Sequence, residues 1–249
     1  MQRAFRQTTR QLLWKGAGTA AACVALAACG KGDTSANDAT REPAAGKITA
    51  NAASPAADSD VAARGKGLPN GYLAQFDQPN TKLTDVSYSA REPGRWEVTT
   101  GPAHILYSPT DSARGKYSAS ATFEQLAAPS HPEGFGVFVG GSNLDQPNAR
   151  KYTYFIVRGD GKYLVKVRDG ANTRTITDWT ANAAIPKQDP AGKALYGIKV
   201  DVNGTTANIS VNGSPVTTIA AASAPLNGIA GVRINHNLHV IATPVSINR

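Results

Sequence analysis

The chain has 249 residues, of which 41% are hydrophobic and 18% charged, with 24 glycines and 15 prolines. That composition excludes a coiled coil or collagen and fits a loop-rich β protein, either one large domain or two small ones. The formal net charge of +8 is not a nucleic-acid footprint, because no basic block interleaved with aromatics occurs.

The first element in chain order is a leader. Arg3, Arg6, Arg10 and Lys15 make a basic start, and residues 16–28 are a small and apolar stretch of 13, the pattern of a secretory signal and too short to span a bilayer. No run of about 20 apolar residues follows it. The stretch ends in Leu26-Ala27-Ala28-Cys29, followed by Gly30, which resembles the lipobox of bacterial lipoproteins. The resemblance implies cleavage after Ala28 and acylation of Cys29 on its sulfur and its new amine. Two or three acyl chains hold a protein on a membrane, at about 0.8 kcal/mol per buried methylene. By the sorting rule of Gram-negative lipoproteins, Gly30 after the cysteine implies the outer membrane, so the expected location is the cell envelope. Loss of the leader removes four cations and Cys23, leaving a mature charge of +4. With Cys29 lipidated, no thiol remains for a disulfide, a nucleophile or a metal.

Residues 29–67 are expected to be the lipidated N-terminus and a flexible linker. From Gly30 onward they hold five basic and five acidic residues, with only Ile48 and Val61 as branched aliphatics, so nothing there can bury a core. A coil of that length spans about 35 Å end to end.

Residues 68–249 change character. Apolar residues alternate with polar ones over 71–76, 85–90, 95–100, 103–108, 116–124, 134–139 and 151–158. The pattern goes on over 162–168, 174–179, 195–202, 207–211, 216–219, 229–234 and 238–247. No window shows a sustained helical period, so the expectation is all-β. Gly159-Asp160-Gly161, Asn203-Gly204 and Asn212-Gly213 supply residues that accept positive φ at hairpin turns. Fourteen short strands exceed what one open sheet usually holds, which predicts a two-sheet antiparallel β-sandwich.

Gly134-Phe135-Gly136-Val137-Phe138-Val139-Gly140-Gly141, Tyr152-Thr153-Tyr154-Phe155-Ile156-Val157-Arg158 and Gly161-Lys162-Tyr163-Leu164-Val165 resemble three consecutive strands of the concanavalin A-like lectin/glucanase jelly roll. Ile209-Ser210-Val211-Asn212-Gly213 and Leu226-Asn227-Gly228-Ile229-Ala230-Gly231-Val232 are similar to its later strands. The same jelly roll carries lectins, laminin-G-like modules, glucanases and domains classed as 3-keto-disaccharide hydrolases, so the resemblance implies a fold and leaves activity open. Its glucanases place acid and nucleophile at alternate positions of one strand. Here the domain's glutamates are Glu92, Glu97, Glu124 and Glu133, and no two have that spacing. For the keto-disaccharide branch the expected F-N-G-K and N-S-G are replaced by Phe76-Asp77-Gln78 and Glu133-Gly134-Phe135.

Other chemistry is sparse. Ser142 lacks a G-x-S-x-G frame. His104, His131, His236 and His239 read as loop histidines. The last two are three apart and fall on opposite faces of an extended chain, so sharing a metal needs a turn at Asn237. No metal or other cofactor is therefore expected; calcium on Asn143 and Asp145 would have two oxygens where six to eight are needed. Arg158-Gly159-Asp160 reads as a hairpin turn rather than an adhesion tripeptide.

Alternation places Phe155, Val157, Val165 and Val167 in the core, leaving Tyr152, Tyr154, Arg158, Lys166 and Arg168 on the opposite face. If that face is concave and solvated, tyrosines beside cations can stack on sugar rings and bond hydroxyls or carboxylates. Trp179, at a strand end, reads as a core plug, with a sugar platform as the alternative. The expected function is a lipid-anchored, non-catalytic cell-envelope module that binds a glycan or an envelope protein. The alternatives are a hydrolase of a small glycoside derivative and a structural envelope protein without ligand.

Overall fold

The computed structural model describes residues 67–91 and 94–249. The leader, Ala28, Cys29, the linker up to residue 66, and Glu92 lie outside the described residues. The described chain contains β1 (Leu73–Phe76), β2 (Val86–Arg91), β3 (Arg95–Thr100), β4 (His104–Tyr107), β5 (Ser112–Ala113), β6 (Lys116–Gln125), β7 (Gly134–Ser142) and β8 (Lys151–Arg158). It continues with β9 (Lys162–Asp169), β10 (Asn172–Ala181), β11 (Ala194–Asn203), β12 (Thr206–Val211), β13 (Ser214–Ala220), β14 (Gly228–Ile234), β15 (Leu238–Ala242) and β16 (Ser246–Asn248).

The domain is an all-β sandwich of two antiparallel sheets. Sheet A runs β1-β4-β14-β7-β8-β9-β10 with β5 beside β14, and sheet B runs β13-β12-β11-β6-β15-β3-β2 with β16 also on β6. The predicted turn at Asn212-Gly213 has φ of 49° and 81° and joins Val211 directly to its partner Ser214. Positive φ at both central residues is the type I′ geometry that matches strand twist, and it suits Asn followed by Gly. The Arg-Gly-Asp segment is likewise a turn, closed by Gly161 N–H donating to Arg158 O at 3.1 Å.

Two departures from the sequence pattern have local causes. The predicted strand 238–247 is broken into β15 and β16, because Pro244 has no N–H to give to a ladder. Both pieces still pair with β6, Val240 opposite Gln125 and Ile247 opposite Ala119. Thr243 bridges the break, its N–H reaching Thr122 O at 3.0 Å and its hydroxyl accepting from Thr122 N at 2.9 Å. The two-residue β5 is too short to show alternation.

Period two sends Phe135 of β7 inward, where its ring lies 5.2 Å from Phe123 of β6 and 5.4 Å from Tyr196 of β11. Those three rings join the two sheets. The main core also takes Phe155, Val157, Val165 and Val167, as the alternation predicts.

The outer face of sheet A is not the open surface expected. Tyr152 is 0% and Tyr154 5% exposed, and they belong to a second apolar cluster with Tyr107, Phe138, Ile156 and Leu164. The β7–β8 connection supplies the cover. Leu144 packs into the cluster, and Arg150 donates to Phe76 O at 3.0 Å while its own carbonyl accepts from Gly170 N at 2.8 Å. The face is also concave. A flat sheet would hold β1 and β9 roughly 24 Å apart, yet Asp77, just after β1, lies 3.9 Å from Arg168 of β9.

His104 is 0% exposed, buried on the inner side of β4. Its Nδ1 lies 3.1 Å from Pro102 O, an atom that can only accept, so Nδ1 carries the proton and Nε2 accepts from the Tyr88 hydroxyl. Burial lowers its pKa from 6.5 to about 4, with the Pro102 carbonyl partly opposing. The unfolded chain takes up a proton near pH 6.5 and the native state does not, so this contribution is full above 6.5 and is lost as pH falls toward 4. Urea unfolding at pH 7.5 and 4.5 should show about 2.5 kcal/mol of acid destabilisation that is missing in His104→Gln. An identical pH dependence in the variant would refute the buried neutral imidazole.

Candidate functional site

The concave face of sheet A gathers charge as well as rings. Arg233 of β14 meets Asp77 bidentately, Nη1 to Oδ1 at 3.1 Å and Nη2 to Oδ2 at 2.5 Å. Its Nη1 also donates to the Tyr152 hydroxyl at 3.2 Å and its Nε to Asn235 Oδ1 at 3.1 Å. Its guanidinium lies 4.7 Å over the Tyr154 ring. Arg168 approaches the same carboxylate, and its Nε donates to Gly170 O at 2.7 Å. Arg150, 4% exposed, keeps a buried Nε without a hydrogen-bond partner.

Three guanidiniums therefore surround one carboxylate, and the local charge is positive. Burial raises Asp77, but the charge and hydrogen bonds of Arg233, with Arg168 and Arg150 behind them, outweigh it and hold the carboxyl below its ordinary value. Burial raises Tyr154 to about 12, with the Arg233 charge opposing. Arg233 itself is held firmly protonated: Asp77 and the tyrosines overcome the cost of burial.

Toward the β8–β9 turn the face opens. Arg158 is half-buried there, its Nε donating to Asp160 Oδ1 at 2.8 Å, and its guanidinium lies 4.4 Å over the Trp179 ring. The indole is partly exposed and packs on the outer cluster, not in the inter-sheet core, which corrects the reading of Trp179 as a core plug. Gly134 makes room for it, since a Cβ there would sit 2.9 Å from Trp179 Cη2 and 3.0 Å from Ile156 Cδ1. Lys166, opposite Tyr154 of β8, is also partly exposed.

The structure thus brings Tyr152, Tyr154, Arg158, Lys166 and Arg168 to one face with Trp179 at its open end. It divides them: Tyr152, Tyr154 and Arg168 are buried, whereas Arg158, Lys166 and Trp179 reach solvent. The pattern of strands gave no sign of Asp77, Arg150 and Arg233, because Asp77 and Arg233 are 156 positions apart and each follows local rules that suit an ordinary polar residue.

At the rim, Glu133 accepts from Asn235 Nδ2 at 2.9 Å and lies 3.4 Å from His131 Nε2 and 2.7 Å from His236 Nε2. The chain does turn at Asn237, where φ is 56°. His239 lies apart from this group in β15, with Nε2 2.6 Å from Glu97 Oε1. Glu97 and Glu124 both pair with Ile241 across β15, so they stand on separate strands of sheet B.

No family model and no curated protein matches this chain. Among solved structures it is similar to the carbohydrate-binding module CBM66 from Bacillus subtilis, with a TM-score of 0.52 and 7% identity over 75% of this chain and 99% of that one. It is also similar to a Bacillus subtilis protein of unknown function with a galectin-like fold (TM-score 0.51, 11% identity, 71% and 88% covered). A family 16 glycoside hydrolase, an endo-glucanase from Bacteroides ovatus, matches at a TM-score of 0.51 and 10% identity, with 73% and 96% covered. At these identities the likeness is one of fold, a jelly-roll β-sandwich.

Proposed function

We propose that residues 68–249 are a non-catalytic glycan-binding module, tethered to the cell envelope through a lipid on Cys29. The observation that carries this reading is the partly exposed Trp179 capped by Arg158 at the open end of a concave, positively charged sheet face. An indole offers an apolar plane to a sugar ring, and the nearby cations bond hydroxyls or carboxylates. Three guanidiniums against one carboxylate favour acidic glycans over neutral ones. Tyr152, Tyr154 and Arg168 act as the buried floor that holds this rim in place. Gly30 after the cysteine supports placement in the outer membrane of a Gram-negative source.

A glycan array run with and without chelator tests the module. The expected result is binding without turnover, stronger for uronate-bearing glycans and weakened by salt. Trp179→Ala should weaken it at least tenfold with an unchanged far-ultraviolet circular dichroism spectrum, and should lower the thermal midpoint by several degrees because the ring packs on the outer cluster. Release of reducing sugar that stops on substitution of Glu124, Glu133, Asp145 or His131 would replace this reading with hydrolysis. An empty array with co-purifying envelope components would replace it with a structural role.

A further inference from the structure

We propose that His131, Glu133 and His236 form a binding site for a divalent transition-metal ion of the zinc class. Their ligand atoms all lie within 4.8 Å of one another. A tetrahedral ion with bonds of about 2.0–2.1 Å sets its ligands roughly 3.3 Å apart. Glu133 Oε1 already stands 3.4 Å from His131 Nε2, and at 2.7 Å from His236 Nε2 it needs to open only slightly. Small side-chain rotations therefore convert a hydrogen-bonded trio into a coordination shell.

Two connections separated in sequence deliver these side chains, and both are anchored. His131 stands between Ser130 and Pro132, with Pro129 one residue earlier, and the prolines restrict the backbone on either side. His236 lies in the three-residue turn between β14 and β15. The turn is clamped at both ends, by Asn235 N–H on Gly134 O at 3.0 Å in sheet A and by Asn237 N–H on Thr100 O at 3.0 Å in sheet B. The left-handed φ of Asn237 reverses the chain just after the histidine, a conformation that asparagine tolerates better than most residues.

The surroundings are those a metal ligand set requires. Glu133 is held through its second oxygen by Asn235, which is itself held by Arg233. His131 Nδ1 lies 3.3 Å from Ser130 Oγ and 3.4 Å from Asn237 Nδ2, an amide group that only donates, so in the metal-free site the ring proton sits on Nε2 toward Glu133 and leaves to solvent when Nε2 takes the ion. Such outer partners orient ligands. The carboxylate is 13% exposed while the imidazoles are 42% and 35% exposed, which leaves an entry path and a fourth position for solvent. Two imidazoles and a carboxylate suit zinc, copper(II) or nickel and not calcium, which takes six to eight oxygens.

The test uses the full chain with both thiols alkylated, titrated calorimetrically with zinc chloride at pH 7.5, and in parallel with cobalt(II) while its visible spectrum is read. One equivalent of zinc should bind, cobalt should show a four-coordinate spectrum without thiolate charge transfer, and zinc should raise the thermal midpoint. The double variant His131→Ala/His236→Ala should lose that equivalent, and Glu133→Gln should bind at least tenfold more weakly. Asn235→Ala, which removes an outer partner only, should weaken binding roughly tenfold, and His239→Ala should leave it unchanged. Absence of zinc uptake by the unsubstituted chain, or equal uptake by the double variant with an unaltered circular dichroism spectrum, would overturn the site. No sugar enters this measurement, so it stands or falls apart from the glycan reading.

Discussion

Asp77→Ala is expected to cost about 3–5 kcal/mol, the range for removing one partner of a buried ion pair, and to lower the thermal midpoint by roughly 10 °C in a domain of this size. The Arg233 side chain is 6% exposed and the Asp77 side chain 25%. Without the carboxylate, Arg233 keeps its charge but loses both bonds of its bidentate pair. Arg168 and Arg150 then face it with nothing between them. Neutralisation is closed to a guanidinium, so the charge stays buried. Asp77→Asn should be nearly as damaging, because the amide retains an acceptor but not the charge. The double variant Asp77→Leu/Arg233→Met should recover most of the loss, since apolar residues of similar volume replace a buried ion pair at little cost. Denaturant unfolding of the four proteins decides the matter, and a loss below about 1 kcal/mol in Asp77→Ala would mean that solvent reaches the cluster. The sign with pH follows from the depressed Asp77 carboxyl. Its contribution is present above an unfolded value of about 3.9 and is lost as pH falls below it.

Phe135→Ala should be comparably severe, about 3–5 kcal/mol. Phe135 is 0% exposed and inserts from sheet A between rings of β6 and β11, so its deletion opens a cavity at the contact between the sheets. The surrounding strands are tied by their ladders and cannot collapse into it. Phe135→Leu should cost less than half as much, because most of the volume stays. Urea unfolding measures both, and near-equality of the two variants would show that the ring is not what joins the sheets.

Much of the architecture was legible in the residues. Period two along β6, β8, β9 and β11, with Asn212-Gly213 and Gly159-Asp160-Gly161 at the turns, set the strands and their inward faces, because alternation is a local consequence of the pleat. Sheet partners were less legible: β14 beside β7 and β4 beside β14 bring together segments far apart in the chain, and no local pattern encodes such a pairing. The concave face was half legible. Alternation placed Tyr152, Tyr154, Arg158, Lys166 and Arg168 on it, but their separation into buried floor and open rim depends on how the sheet curls and on where residues 143–150 cross it. The place of Trp179 depends on the same curl, since a strand-end tryptophan looks alike in sequence whether it plugs a core or covers a glycine such as Gly134.

His131 and His236 show the limit most clearly. Each is an unremarkable loop histidine in its own segment, and only the antiparallel meeting of the β6–β7 and β14–β15 connections sets both against Glu133. The residues by themselves determined an all-β domain with a defined set of inward side chains, because backbone pleat and turn conformation act over a few residues. The tertiary structure alone decided that one carboxylate would face three guanidiniums and that two imidazoles would share another, because electrostatic and coordination partners are chosen by distance in space.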